Sequence, residues 1–88
     1  MSSLDPYITL AEEELETSRL LVSNQRYRVA VSRSYYAMYY ATQALLVTKN
    51  VTNRTHKGMI QQFSQHFVKS GEFPTQSVTD LKRAYDLR

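Results

Sequence analysis

The chain has 88 residues, no cysteine, two glycines, two prolines, seven tyrosines and a formal net charge of +3, which excludes disulfides, thiolate metal sites and a cysteine nucleophile. Residues 1–88 are expected to form one small helical domain, near the lower size limit for a self-sufficient core, where burial against a second copy often adds stability. Charge divides along the chain: the first sixteen residues hold five acids (Asp5, Glu12, Glu13, Glu14, Glu16) and no base, whereas Thr17 to Gly71 holds eight Lys or Arg and no acid. That basic field would attract phosphates or an acidic partner, unless the acidic first helix neutralises it within the fold.

The first helix is predicted to start at Asp5-Pro6, an N-cap side chain followed by a proline at the first helical position, where a missing N–H costs nothing. Ile8, Ala11, Leu15 and Val22 recur at helix-face spacing, and Ser23-Asn24 ends the element. Its acids suit the positive end of the helix dipole.

The second helix is predicted from about Gln25 to Lys49 as the central helix of a bundle. Ala30, Ser34, Ala37, Ala41, Ala44 and Thr48 form a straight row of small side chains, a seam that lets another helix approach closely. Val31, Met38 and Leu45 flank the seam on one side; Arg26, Val29, Arg33, Tyr36, Tyr40 and Val47 flank it on the other. Tyr39 points away from the seam and is expected to be the most exposed of the four clustered tyrosines, suited to a dimer contact.

Asn50 to Thr55 reads as a polar loop, with Thr55 capping a third helix that carries Met59 or Ile60, Phe63 and Phe67. Gly71 closes that helix and Pro74 follows three residues later. A fourth helix is predicted from Thr75 to Ser77 onward, through Val78, Leu81 and Tyr85, and it runs into the C-terminus without a stop signal. The expectation is therefore a piece of a longer protein. No apolar run approaches the ~20 residues of a membrane span, and the first residues lack signal-peptide regions, so a cytoplasmic location is expected.

Arg33, Tyr36 and Tyr40 share one helix face, with Arg26 two turns back. Such a face can bind a nucleotide, guanidinium taking phosphate and phenol stacking on a base. It can equally bury its rings in the bundle while Arg33 pairs with a first-helix glutamate. His56, between Arg54 and Lys57 at the start of the third helix, is expected to be held neutral by the helix N-terminus. It is either a base for RNA cleavage beside Arg54 or a capping residue; His66 reads as structural. The ligand-binding candidates are thus Arg26, Arg33, Tyr36, Tyr40, Arg54, His56 and Lys57. No metal-ligand spacing, phosphate loop, nucleophile elbow or carboxylate pair is present, so no metal, cofactor or catalytic residue is assigned.

The run from Ala30 to Leu46 (Ala-Val-Ser-Arg-Ser-Tyr-Tyr-Ala-Met-Tyr-Tyr-Ala-Thr-Gln-Ala-Leu-Leu), Thr55-His-Lys-Gly58, Phe63 and Phe67-Val-Lys-Ser-Gly71 resembles the HEPN domain, in particular the small stand-alone HEPN proteins of bacteria and archaea. The resemblance runs from about Leu10 to Arg88 and implies an all-α, up-and-down four-helix-bundle-like domain whose C-terminal part is missing here. It further implies a homodimer that partners a minimal nucleotidyltransferase as a toxin–antitoxin pair. Many HEPN proteins are metal-independent RNases with an Arg followed by His after four to six residues; neither His56 nor His66 has an Arg at that spacing. The implied function is a nucleotide- or partner-binding module, with an RNase toxin of divergent active site and a purely structural dimerisation protein as alternatives.

Overall fold

The computed structural model describes residues 5–88. They form four helices and no strand: α1 (Asp5–Ser23), α2 (Tyr27–Thr48), α3 (His56–Phe63), which continues into a π-helical turn (Ser64–Val68), and α4 (Thr75–Leu87). Pro6 falls in the first turn of α1 as predicted; the cap expected of the Asp5 side chain lies outside the described residues. None of these helices is long and apolar enough to cross a membrane.

The breaks between helices are local chemistry. Gln25 adopts a left-handed conformation (φ 60°), so its N–H reaches Val22 O while that of Arg26 reaches Leu21 O at 2.8 Å. These two bonds satisfy the last carbonyls of α1 in a Schellman closure. Gln25 therefore ends α1, and α2 begins at Tyr27, two residues later than the sequence predicts. The same closure recurs after α2: Asn50 (φ 56°) bonds Val47 O and Val51 bonds Leu46 O. Thr55 caps α3 as predicted, its Oγ1 accepting the Gly58 N–H at 2.8 Å. Gly71 (φ 85°) stands where a left-handed residue is needed.

Helix α2 is central, with different neighbours on its two sides. Antiparallel α1 packs on one side through small and polar groups. Ser18 is buried, its hydroxyl donating to Ala30 O at 3.2 Å and sharing a 2.6 Å bond with the Ser34 hydroxyl. Of the predicted seam, Ala30 and Ala44 are buried and Ser34 and Ala37 half-buried, but Ala41 and Thr48 are exposed. Ala41 instead faces an open cleft with Met38, Phe73 and Leu81, and the Thr48 hydroxyl turns back to Leu45 O. The seam thus holds at only part of its length.

The hydrophobic core lies on the opposite side of α2. Tyr35, Leu46 and Met59 are fully buried, joined by Ile60, Phe63, Phe67 and Leu81 from α3, the π turn and α4; each such side chain contributes about 1.5–3 kcal/mol by leaving water. The loop between α2 and α3 is tied down by a reciprocal amide pair: Gln43 Nε2 donates to Asn53 Oδ1 at 3.0 Å, and Asn53 Nδ2 donates to Gln43 Oε1 at 2.8 Å. Gln43 is buried, so this pairing removes the cost of a buried amide.

Candidate functional site

The tyrosine-rich stretch of α2 meets the start of α3 and the end of α4 in one aromatic cluster. His56 is its centre. As the first residue of α3 it is positioned by the Thr55 cap from below and the Gln43–Asn53 pair from the loop side. Its ring stacks on Tyr85 (5.5 Å between centroids, 25° between planes) and lies 4.9 Å from Tyr39, 5.5 Å from Tyr35 and 6.2 Å from Tyr36. Tyr40 continues the row, 5.2 Å from Tyr39 and 6.4 Å from Tyr36. Such edge and offset contacts add roughly 0.5–1.5 kcal/mol per pair beyond area burial.

Two guanidiniums lie against the cluster. Arg33 sits 5.0 Å over the Tyr36 ring, and Arg88 sits 4.2 Å over Tyr85 and 5.9 Å over Tyr35. Arg33 also pairs with Glu14 of α1, one of its nitrogens reaching both carboxylate oxygens at 3.0 and 3.2 Å. This is the pairing that neutralises part of the basic field.

The protonation states follow from the packing. Tyr35 is buried, and burial pushes its phenol up to about 12. His56 is held below its ordinary value, first by burial and second by the Arg88 charge. The direction is the one expected from sequence, with burial and the Arg88 charge as its leading causes. The Tyr35 hydroxyl and His56 Nδ1 are 2.5 Å apart. With the phenol protonated and the imidazole neutral, the hydroxyl donates to Nδ1, and the ring carries its hydrogen on Nε2.

Of the sequence-derived candidates, Arg33, Tyr36, Tyr40 and His56 come together here. Arg26 stands at the N-cap of α2 without a side-chain cap bond, and Arg54 and Lys57 are exposed on either side of His56. Lys57 turns toward a cleft that Tyr85 also lines. Tyr39, expected to face outward at a dimer contact, is half-buried between Tyr35, Tyr40 and His56, because the face away from the seam is the core face. Sequence reasoning missed Tyr35, Tyr85 and Arg88 as members of the cluster. The signal for Tyr35 was present: Tyr35, Tyr39, Thr42 and Leu46 repeat at spacings of four, three and four, a second helical stripe opposite the small one.

A family model described as the HEPN domain matches residues 6–88. The chain is 36% identical over 85 residues to a protein of Methanocaldococcus jannaschii named "Putative toxin", an alignment that takes in 97% of this chain and 58% of that protein. A second protein of that name from the same organism is 38% identical over 81 residues, covering 92% of this chain and 60% of its own length. A UPF0332 protein of Pyrococcus horikoshii is 43% identical over 68 residues, 77% of this chain and 48% of that protein. The chain therefore spans roughly half to three-fifths of the length of these relatives. No solved structure matches it.

Proposed function

The chain belongs to the HEPN family, and from that membership we propose that it acts as a dimeric nucleotide- and partner-binding module of a toxin–antitoxin pair whose other member is a nucleotidyltransferase. The observation that carries the reading is the cluster of aromatic rings with two guanidiniums against it, Arg33 over Tyr36 and Arg88 over Tyr85. Guanidinium groups take phosphate in a forked geometry, and phenol rings supply stacking surface for a base. The relatives named as toxins support the pairing with an antitoxin. The family's usual setting supports a nucleotidyltransferase in that role.

Calorimetry with ATP, combined with light scattering for oligomeric state, tests this reading. Arg33→Ala and Tyr40→Ala should each weaken ATP or partner binding at least tenfold while the dimer and the helical content persist. Unfolding of both variants would assign these residues to the core, and a monomer that binds neither nucleotide nor the nucleotidyltransferase would end the proposal.

A second reading, metal-independent RNA cleavage, draws on one observation: a neutral His56 lies in the field of the Arg88 charge. An imidazole to move a proton and a guanidinium to hold phosphate are the two groups that such cleavage uses. It predicts that total RNA is cut in the presence of EDTA and that His56→Ala stops the cutting. Intact RNA after incubation with the full-length protein would dismiss it.

A further inference from the structure

His56 joins three helices at one ring. As the first residue of α3 it accepts the Tyr35 hydroxyl of α2 at Nδ1 and stacks on Tyr85 of α4. Tyr35 is fully buried, and among the described residues its hydroxyl has no other hydrogen-bond partner. His56 itself is half-buried, so water still reaches its ring.

Helix α4 is held differently at its two ends. Leu81 is buried in the core, with Val78 packed against it. Beyond Leu81, Ala84 and Tyr85 are half-buried and Asp86, Leu87 and Arg88 are exposed. The last turn is attached chiefly through the ring cluster: Tyr85 lies 5.5 Å from His56 and 5.8 Å from Tyr35, and Arg88 lies over Tyr85 and Tyr35.

A proton on His56 would act against each of these contacts. An imidazolium carries N–H groups on both nitrogens and accepts no hydrogen bond. The Tyr35 hydroxyl would then turn its hydrogen into a buried site without an acceptor, which is unfavourable. The new charge would face Tyr35, Tyr36 and Tyr39 from α2 and Tyr85 and Arg88 from α4. Arg54 and Lys57 flank it in its own segment, and the positive end of the α3 dipole opposes it. Asp86 follows Tyr85 but pairs with neither His56 nor Arg88: among the described residues the ion pairs are Arg33–Glu14 and Lys49–Glu72. Tyrosine rings attract cations, yet Arg88 already lies over two of them, so a second cation competes for the same rings.

We propose that His56 is a proton-operated latch on the end of α4. The neutral ring holds Tyr85 and Arg88 against α2; the protonated ring releases the last turn of α4, while Leu81 keeps the rest of the helix on the core. Histidine serves such switches because its charge changes within the physiological range. The latch stands on the geometry of the cluster. Only its use, withdrawing Tyr85 and Arg88 from a nucleotide as pH falls, rests on the function proposed above.

NMR spectroscopy of the full chain tests this, with ring-to-ring NOEs as the readout. Between about pH 8 and about pH 5 the Tyr35–Tyr85 contact should be lost while the Phe63–Phe67 contact persists, with a midpoint below the ordinary imidazole value of about 6.5. His56→Gln leaves a neutral acceptor and should keep the Tyr35–Tyr85 contact throughout. His66→Gln, which removes the other imidazole, should leave the transition in place. Arg88→Gln removes an opposing charge and should move the midpoint upward. A contact that persists at about pH 5, or a transition that survives in His56→Gln or vanishes in His66→Gln, overturns the proposal. Parallel loss of the Phe63–Phe67 contact would make the change global and overturn it equally. If His56→Gln does not fold, Arg88→Gln decides: a midpoint that stays or falls ends the proposal. No ligand enters these measurements, so failure to bind ATP with an intact transition removes the nucleotide reading and leaves the latch, and ATP binding without a transition does the reverse.

Discussion

The two sides of α2 are held by different physics. Toward α1 the contact is made of alanines, two serine hydroxyls and one Glu14–Arg33 pair; toward α3 and α4 it is made of tyrosine, leucine, methionine and phenylalanine. Close approach of small side chains buries little area, and exposed or partly exposed ion pairs contribute roughly 0–1 kcal/mol. On α1 itself Leu15, Leu20 and Val22 remain largely exposed. Helix α1 is thus held by geometry and hydrogen bonds, whereas α3 and α4 are held by apolar area. Most of the aromatic cluster around His56 stands on the second, stronger side.

The contrast is broken most forcefully at Leu46. Leu46→Ala should cost about 2–5 kcal/mol in urea unfolding, the range for a cavity in a packed core, while Leu15→Ala, its exposed counterpart on α1, should cost within about 0.5 kcal/mol. Equal losses would erase the distinction between the two sides.

A smaller effect is expected from pH. Tyr35 has its folded value raised to about 12 from an ordinary 10, so between those values the unfolded chain sheds a proton that the folded chain keeps. Stability is full below pH 10 and falls as pH rises from 10 to 12, by on the order of 2–3 kcal/mol. Tyr35→Phe should remove that alkaline loss. His56 acts in the opposite direction: its folded value is lowered, so its contribution is full above about pH 6.5 and declines as pH falls below it. Titration of unfolding free energy in the unsubstituted protein and in Tyr35→Phe checks both limbs, and an unchanged alkaline limb in Tyr35→Phe would contradict the placement of that phenol.

Ser18→Ala, on the weaker side, should cost about 0.5–1.5 kcal/mol for the lost hydrogen bonds. Its effect should be concentrated in α1: faster amide exchange there, little change in α3. Uniform acceleration through the chain would show that α1 and the core open together.

Much of this architecture was legible in the sequence. The end of α1, the Thr55 cap and the Gly71 closure depend on residues within a turn of one another, and those were read correctly. The identity of the core face was not legible, because Tyr35, Tyr36, Tyr39 and Tyr40 together cover a broad arc of α2 and only the docking of α3 and α4 decides which part is buried. Tyr85 and Arg88 reach the cluster through the packing of α4, a contact between segments about fifty residues apart. The π turn left no pattern, since one inserted residue looks like ordinary drift in a short helix. Composition did identify Arg33, Tyr36, Tyr40 and His56, which the fold brings to one place.

The Gln43–Asn53 amide pair has a consequence in time as well as in space. It closes a loop of only ten residues, for which the entropy of closure is small and the search is fast. The entry to α3, and with it His56, is therefore set from α2 by a short-range contact, before Tyr85 and Arg88 arrive over a much longer separation. The cluster would be assembled from its centre outward: imidazole placed first, flanking ring and guanidinium added last. Folding kinetics should give Asn53→Ala a higher φ-value than a substitution at Tyr85, and the reverse order would place the rate-limiting contact in α4.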